Sequence, residues 1–203
     1  MEIAVEYTAV VPSPAMSVRH LTSEELQSGL DEIRRSPKRQ GRLEMIVRRP
    51  AVGAREVLPE GRLDLAVGLV GDTWEKRGST RTPDGSRHPD MQINLMNARA
   101  VALIARDRAR WPLAGDQLFV DLDLSTANLP PGTRLEIGTA VLEVTAQPHT
   151  GCAKFVERFG LDAMKFVNSP VGRELCLRGI NARVVQPGTI REGDPIAATL
   201  SAS

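Results

Sequence analysis

Residues 130–146 read PPGTRLEIGTAVLEVTA, and this stretch decides the fold class. A Pro-Gly turn opens it, and the residues on either side of Gly138 form a β-hairpin turning at that glycine. Just upstream, DQLFVDLDLS (116–125) alternates in the manner of a half-buried strand. Downstream lie QPHTGCAKF (147–155) and two short helical segments, AKFVERFG and LDAMKFVNS. The chain returns to strand in RGINARVVQPGTIREGDPIAATL (178–200), which reads as two strands paired through QPGTIREGD.

The same texture extends toward the amino terminus. GRLEMIVRRP (41–50) sets Leu43, Met45 and Val47 on one face of a strand and Glu44, Ile46 and Arg48 on the other. RLDLAVGLVGD (62–72) follows and ends in a Gly71–Asp72 turn, and residues 75–90, polar and rich in Gly and Pro, form a long exposed loop. MQINLMNARAVALIARDRARWP (91–112) begins as strand and passes into a helix over 97–109, ended by Pro112 and Gly115. In LTSEELQSGLDEIRRSP (21–37), Thr22 and Glu25 have capping-box spacing, Leu26, Leu30 and Ile33 recur at helical intervals, and Pro37 stops the helix. Ile3, Val5 and Tyr7 alternate as an extended segment ahead of it. Residues 1–40 are therefore an extension, 41–197 a β-rich domain and 198–203 a tail. Many short strands with Gly/Pro turns and few helices predict a mainly β chain with helical insertions, an α+β fold built on a curved or closed antiparallel barrel.

Composition narrows the function classes. The 203 residues supply an ordinary apolar content and no run long enough to cross a bilayer. Glu2 and Glu6 at the amino terminus do not resemble a secretion leader, and two cysteines are too few for a disulfide framework. A cytoplasmic protein with reduced thiols is expected. A net charge of +1 argues against a general nucleic-acid binder, and the few aromatic residues argue against a stacking platform for single strands. The charge is uneven: residues 34–55 carry eight Lys or Arg against Glu44 alone, while 111–150 carry five acids against Arg134 alone. The basic run is read first as a solvated face, with an anion-facing patch as the alternative.

Chemistry concentrates around Cys152. A thiolate serves as nucleophile or metal ligand and is favoured by nearby positive charge or a helix amino terminus. Cys152 opens the helix that starts at Ala153, with His149 three residues before it and Lys154 two after. One cysteine cannot build a structural zinc site, and the chain has only His20, His88 and His149 and no CxxC pair. A softer metal supplied within a cofactor is compatible with a single thiolate. The competing reading makes Cys152 a small apolar residue packed at a helix start, and Cys176, between leucines, reads as core. Ser125 and Ser169 lack a nucleophile-elbow context, and no phosphate-binding glycine loop is present. Asp121 and Asp123 share a strand face and could pair as acid and base, but read better as exposed strand carboxylates.

The run GDQLFVDLDLSTANLPPGTRLEIGTAVLEVTAQPHTGCAKF, followed by RGINARVVQPGTIREGDPI, resembles a MOSC domain, the carboxy-terminal domain type of molybdenum cofactor sulfurases. GLVGD (68–72) matches that family's early Gly-Asp turn, and the resemblance covers residues 41–197. It implies a β-rich, barrel-like fold and a cysteine, here Cys152, that ligates molybdenum in metal-bearing members. It further implies that Arg178 and Arg183 hold the phosphate of the pterin, with Lys154, Asn94 and His149 as further polar contacts. A phosphate suits an arginine fork. The sequence departs from the family where His88-Pro89-Asp90 stands in place of a His-Gly-Gly turn, and where Gly151 precedes the cysteine in place of proline.

The resemblance therefore implies a protein that binds a molybdenum cofactor or handles sulfur through Cys152. As an enzyme it would be a molybdenum-cofactor-dependent reductase of N-oxygenated compounds, fed by a redox partner, or a sulfur transferase fed by a sulfur-donor protein. Pyridoxal phosphate is not expected in this chain. The alternative is a non-catalytic ligand-binding or interaction domain in which the cysteine is structural.

Overall fold

The structure, a computed structural model, describes residues 19–200, so the extended segment read over Ile3, Val5 and Tyr7 lies outside the described residues. Helices α1 (Ser23–Ser28) and α2 (Leu30–Arg34) come first. Thr22 caps α1 with a full capping box: its hydroxyl accepts from the Glu25 amide while the Glu25 carboxylate accepts from the Thr22 amide. The strands are β1 (Gln40–Arg48), β2 (Glu56–Leu58), β3 (Glu60–Asp64), β4 (Gly68–Leu69), β5 (Ile93–Asn97), β6 (Leu118–Asp121), β7 (Arg134–Ile137), β8 (Ala140–Val144), β9 (Ile180–Gln186), β10 (Gly188–Arg191) and β11 (Pro195–Thr199). Helix α3 (Ala98–Ala105) follows β5, α4 (Ala153–Asn168) carries a break at Gly160, and α5 (Pro170–Glu174) precedes β9.

Seven strands close into a barrel in the order β11-β7-β8-β9-β5-β6-β1, sealed by β1 against β11. The expected barrel is present, and six of its seven contacts are antiparallel. The β5–β6 pair is parallel, because α3 and the 3-10 helix Arg108–Ala114 carry the chain back across the outside between them. The hairpin β7–β8 turns at Gly138, whose φ of +57° and whose close approach to the Thr189 carbonyl leave no room for a side chain.

Two strand expectations are corrected. The alternation in β1 is broken by a bulge: Leu43 faces Val120 and Met45 faces Phe119, with Glu44 the extra residue. Leu43 thereby joins Ile46 inside the barrel, while Met45 and Val47 point out toward the helices. The carboxy-terminal segment does not pair with itself either. β9 lies between β8 and β5, β11 lies between β7 and β1, and the supposed connection contains β10, which pairs with β3 in a second, three-stranded sheet.

The barrel wall is apolar on both sides. Leu95, Leu118, Val120, Leu142, Ala182 and Ile196 fill the interior. Met45, Val47 and Phe119 face outward onto α1, α2, α3 and α4, where all four phenylalanines and Leu26, Leu30 and Ile33 are buried in one layer. This outer layer fixes α4, and with it Cys152, against the wall.

Candidate functional site

Four arginines from distant parts of the chain converge on four consecutive carbonyls at the end of the 3-10 helix. Arg55 Nε donates to Pro112 O (3.3 Å), Arg158 Nη1 to Leu113 O (2.7 Å), Arg178 Nη2 to Ala114 O (2.9 Å) and Arg49 Nη1 to Gly115 O (2.8 Å). A helix end leaves its last carbonyls without intrahelical partners, and their partial negative charge suits cations. The 3-10 turn thus gathers residues from the end of β1, the loop after it, α4 and the approach to β9.

Two of these arginines are neutralised by buried carboxylates. Arg49 grips Asp72 with Nε and Nη2 at 2.7 and 2.8 Å, and Asp72 also accepts from the amides of Arg49 and Trp74. The Gly71–Asp72 turn therefore locks one cation of the site. Arg178 pairs with Asp116, Nη1 to Oδ2 at 2.7 Å, and stacks its guanidinium 5.1 Å from the Phe155 ring centre. Arg55 and Arg158 have no carboxylate partner among the described residues. Their guanidinium nitrogens both come within 4 Å of the one point above Gly115 where a side chain would begin, at 3.9 and 3.8 Å. Burial, then the charges of Arg158, Arg49 and Arg77, push the Arg55 guanidinium down to about 10. Arg77 is lowered as well, by burial and by Arg49.

The four arginines line a cleft of about 590 Å³, together with Arg77, Lys154, Asn94, His149 and Cys152. Cys152 is the residue at the amino-terminal end of α4, exposed at the cleft, and its thiol makes no capping bond. The loop that carries it is pinned by Asn168, whose Oδ1 accepts from the Gly151 amide at 3.1 Å. Asn94, on β5, is already engaged: its Oδ1 accepts from Arg49 and its Nδ2 donates to Asn181. His149 lies 3.4 Å from Asp116, and its imidazole is held well below the usual histidine range by burial and then by Arg178, Arg49 and Arg81.

Of the residues singled out in the sequence, the structure brings Cys152, Arg178, Lys154, Asn94 and His149 to this cleft. Arg183 is not there. On β9 its neighbours Ala182 and Val184 point into the barrel, so strand alternation turns Arg183 outward, where it pairs with Glu143 at 2.7 Å and Asp90 at 3.5 Å. Asp121 and Asp123 do not form a dyad: Asp121 binds Arg99, and Asp123 accepts from the Ser125 amide. Arg49, Arg55, Arg77, Arg158, Asp72 and Asp116 were missed as site residues. The basic run over 34–55 was the sign for Arg49 and Arg55: Arg34, Arg35, Lys38, Arg39 and Arg42 are exposed, as a solvated face is, whereas Arg49 is buried and Arg55 half-buried at the cleft. Cys176 packs against the barrel interior with a left-handed φ of +49° and lines a second cavity of about 290 Å³, which meets the first at His149 and Arg178.

A MOSC domain family model matches residues 83–197, more than half of the chain. The chain belongs to the MOSC domain family. Its fold is shared with the YuaD protein of Bacillus subtilis (TM-score 0.56, 21% identity, covering 78% of this chain and 95% of that one). It is shared also with YiiM of Escherichia coli (TM-score 0.52, 21% identity, 80% and 71%) and YiiM of Geobacillus stearothermophilus (TM-score 0.51, 16% identity, 78% and 75%). None of the curated proteins matches the chain in sequence. The family is associated with molybdenum cofactor binding and sulfur handling. No helix among the described residues is long and apolar enough to cross a membrane.

Proposed function

We propose that the cleft binds a phosphate-bearing molybdenum cofactor, with the Cys152 thiolate as its protein ligand to the metal. The observation that carries this reading is the convergence of the Arg55 and Arg158 guanidiniums, without carboxylate partners, above Gly115 in the cleft that exposes Cys152. The residues fit such a group in charge and in donor type. A phosphate monoester brings a charge of about −1.5 to −2 near neutral pH, and two guanidiniums without carboxylate partners, with Lys154 nearby, supply the complement. Among the described residues no three His, Cys, Asp or Glu side chains cluster as a metal site. A metal at Cys152 therefore has to arrive with its other ligands attached, as it does within a pterin cofactor.

In this reading Arg55 and Arg158 hold the phosphate, Arg49 and Arg178 shape the floor through their carbonyl and carboxylate partners, and Cys152 anchors the metal end. The bound group would supply two-electron redox chemistry. Reduction of N-oxygenated compounds, with electrons from a partner protein, is the finer form of the proposal. Molybdenum analysis of protein made with an intact cofactor pathway tests it. About one equivalent in the natural protein, lost in Cys152→Ala, is the expected result; no molybdenum in either would overturn it.

The exposure of Cys152 also favours a second reading, in which the thiol carries sulfur as a persulfide received from a donor protein. That reading expects a cyanide-releasable sulfur atom on Cys152 and no stoichiometric metal. Absence of both metal and releasable sulfur would leave Cys152 a structural thiol in a ligand-binding domain.

A further inference from the structure

Among the described residues, three buried side-chain polar atoms have no hydrogen-bond partner, and all three belong to one cluster: Asp116 Oδ1, His149 Nδ1 and Arg178 Nε. Buried polar groups are nearly always paired, so three orphans side by side require an explanation. Asp116 is fully buried; its Oδ2 is taken by Arg178 and its Oδ1 lies 3.4 Å from His149 Nδ1. The two atoms are close enough to bond, yet no hydrogen bond joins them. Gly179 leaves room for the imidazole, since an added Cβ there would lie 3.2 Å from Nδ1 and 2.2 Å from the Leu95 carbonyl.

The charges around His149 come from every direction. Arg178 approaches from the segment before β9, Arg49 from the end of β1, and Arg81 from the 75–90 loop, where its guanidinium donates to Pro148 O at 3.0 Å. Asp116 faces it from the turn before β6, and Arg55, Arg77, Arg158, Lys154 and Cys152 share its cleft. Arg178 and Asp116 already balance each other. A proton on His149 would therefore add uncompensated positive charge to a cationic cavity. An anion in the cleft removes that obstacle, and the free oxygen of Asp116 is in reach to accept from the new imidazolium.

We propose that His149 is the proton acceptor of the cleft: an oxyanion entering it is accompanied by one proton from solvent, which bonds to His149 and closes an Nδ1–H···Oδ1 hydrogen bond to Asp116. Two of the three orphaned atoms are then satisfied, and an imidazolium stands beside the bound ligand. The inference rests on the reading of the cleft as an anion site. By linkage the two equilibria strengthen each other, so oxyanion affinity rises as pH falls.

Nitrogen-15 NMR of histidine-labelled full-length, metal-free protein tests this, with sulfate as the probe because it keeps its charge between pH 5 and 8. Only His20, His88 and His149 contribute, and His149→Gln assigns the third signal. Saturating sulfate is expected to raise the His149 titration midpoint by about one unit or more, leaving His20 and His88 in place. In His149→Gln, sulfate affinity should lose its dependence on pH. Sulfate that binds, measured by isothermal titration calorimetry on the same protein, while the His149 midpoint stays put would overturn the proton coupling alone. Failure of sulfate to bind at all would overturn the anion-site reading with it.

Discussion

Arg178 and Asp116 form an ion pair at 2.7 Å in which the cation is 8% exposed and the carboxylate not at all. It joins the approach to β9 with the turn before β6, 62 residues apart in sequence. Burial alone pushes the Asp116 carboxyl upward, and Arg178 is the main influence opposing it. Removing the cation strands a charge in the interior. Arg178→Met is expected to lower the unfolding free energy by about 3–5 kcal/mol, and Arg178→Met with Asp116→Asn to recover part of that loss, read by urea denaturation.

His149 makes the fold sensitive to acid. Its folded-state pKa lies below the ordinary 6.5, so between the two values the unfolded chain binds the extra proton. Stability should therefore fall as pH drops through 6.5 and below. In His149→Gln that part of the acid limb should flatten in urea titrations at successive pH values; an unchanged limb would show that the imidazole is not the group responsible.

The Arg55 and Arg158 guanidiniums over Gly115 repel each other. Arg158→Ala and Arg55→Ala should each weaken sulfate binding by roughly 10- to 100-fold, the value of one charge-assisted hydrogen bond, while the fold loses only stem packing and the bonds to the Leu113 and Pro112 carbonyls. Arg183→Ala, far from the cleft on the outer face of β9, should leave sulfate affinity unchanged and cost under about 1 kcal/mol. Equal losses in all three variants would remove the basis for placing the anion above Gly115.

Gly179 has a φ of +108°, and an added Cβ would meet the Leu95 carbonyl at 2.2 Å. Gly179→Ala should cost about 3 kcal/mol or more. Gly53, with a φ of +85° and open space around it, is the control: Gly53→Ala should cost only about 1–2 kcal/mol. Comparable thermal shifts in the two variants would contradict the close packing of β5 against the start of β9.

The two thiols should separate by reactivity. Cys152 is exposed at the cleft, whereas burial raises the pKa of Cys176, which contacts Thr126 and the Arg173 carbonyl at 3.6 Å. With iodoacetamide at pH 8, peptide mass spectrometry should find Cys152 alkylated at least about tenfold faster.

Local rules carried the sequence reading where structure is local. The hairpin at Gly138, the Thr22–Glu25 capping box, the helical segments after Cys152 and the Gly71–Asp72 turn all depend on residues within a few positions of one another. The reading failed where pairing is distant. Nothing in GRLEMIVRRP marks Glu44 as the bulged residue, because the bulge exists only against Val120 and Phe119 of β6. Nothing in QPGTIREGD shows that β10 will leave its neighbours to pair with β3.

The site divides in the same way. Cys152, His149 and Lys154 stand within six residues, and their proximity is a property of the sequence. The amphipathic segments and turns likewise determined a β-rich domain with a thiol at a helix start. Which arginines would serve it was decided only by the closed barrel. Side-chain direction alternates along a strand, so Arg183 turned away despite its motif. Arg49, Arg55 and Arg158 were drawn in because the consecutive carbonyls of Pro112–Gly115 at the helix end offered the partial negative charge that buried guanidiniums need.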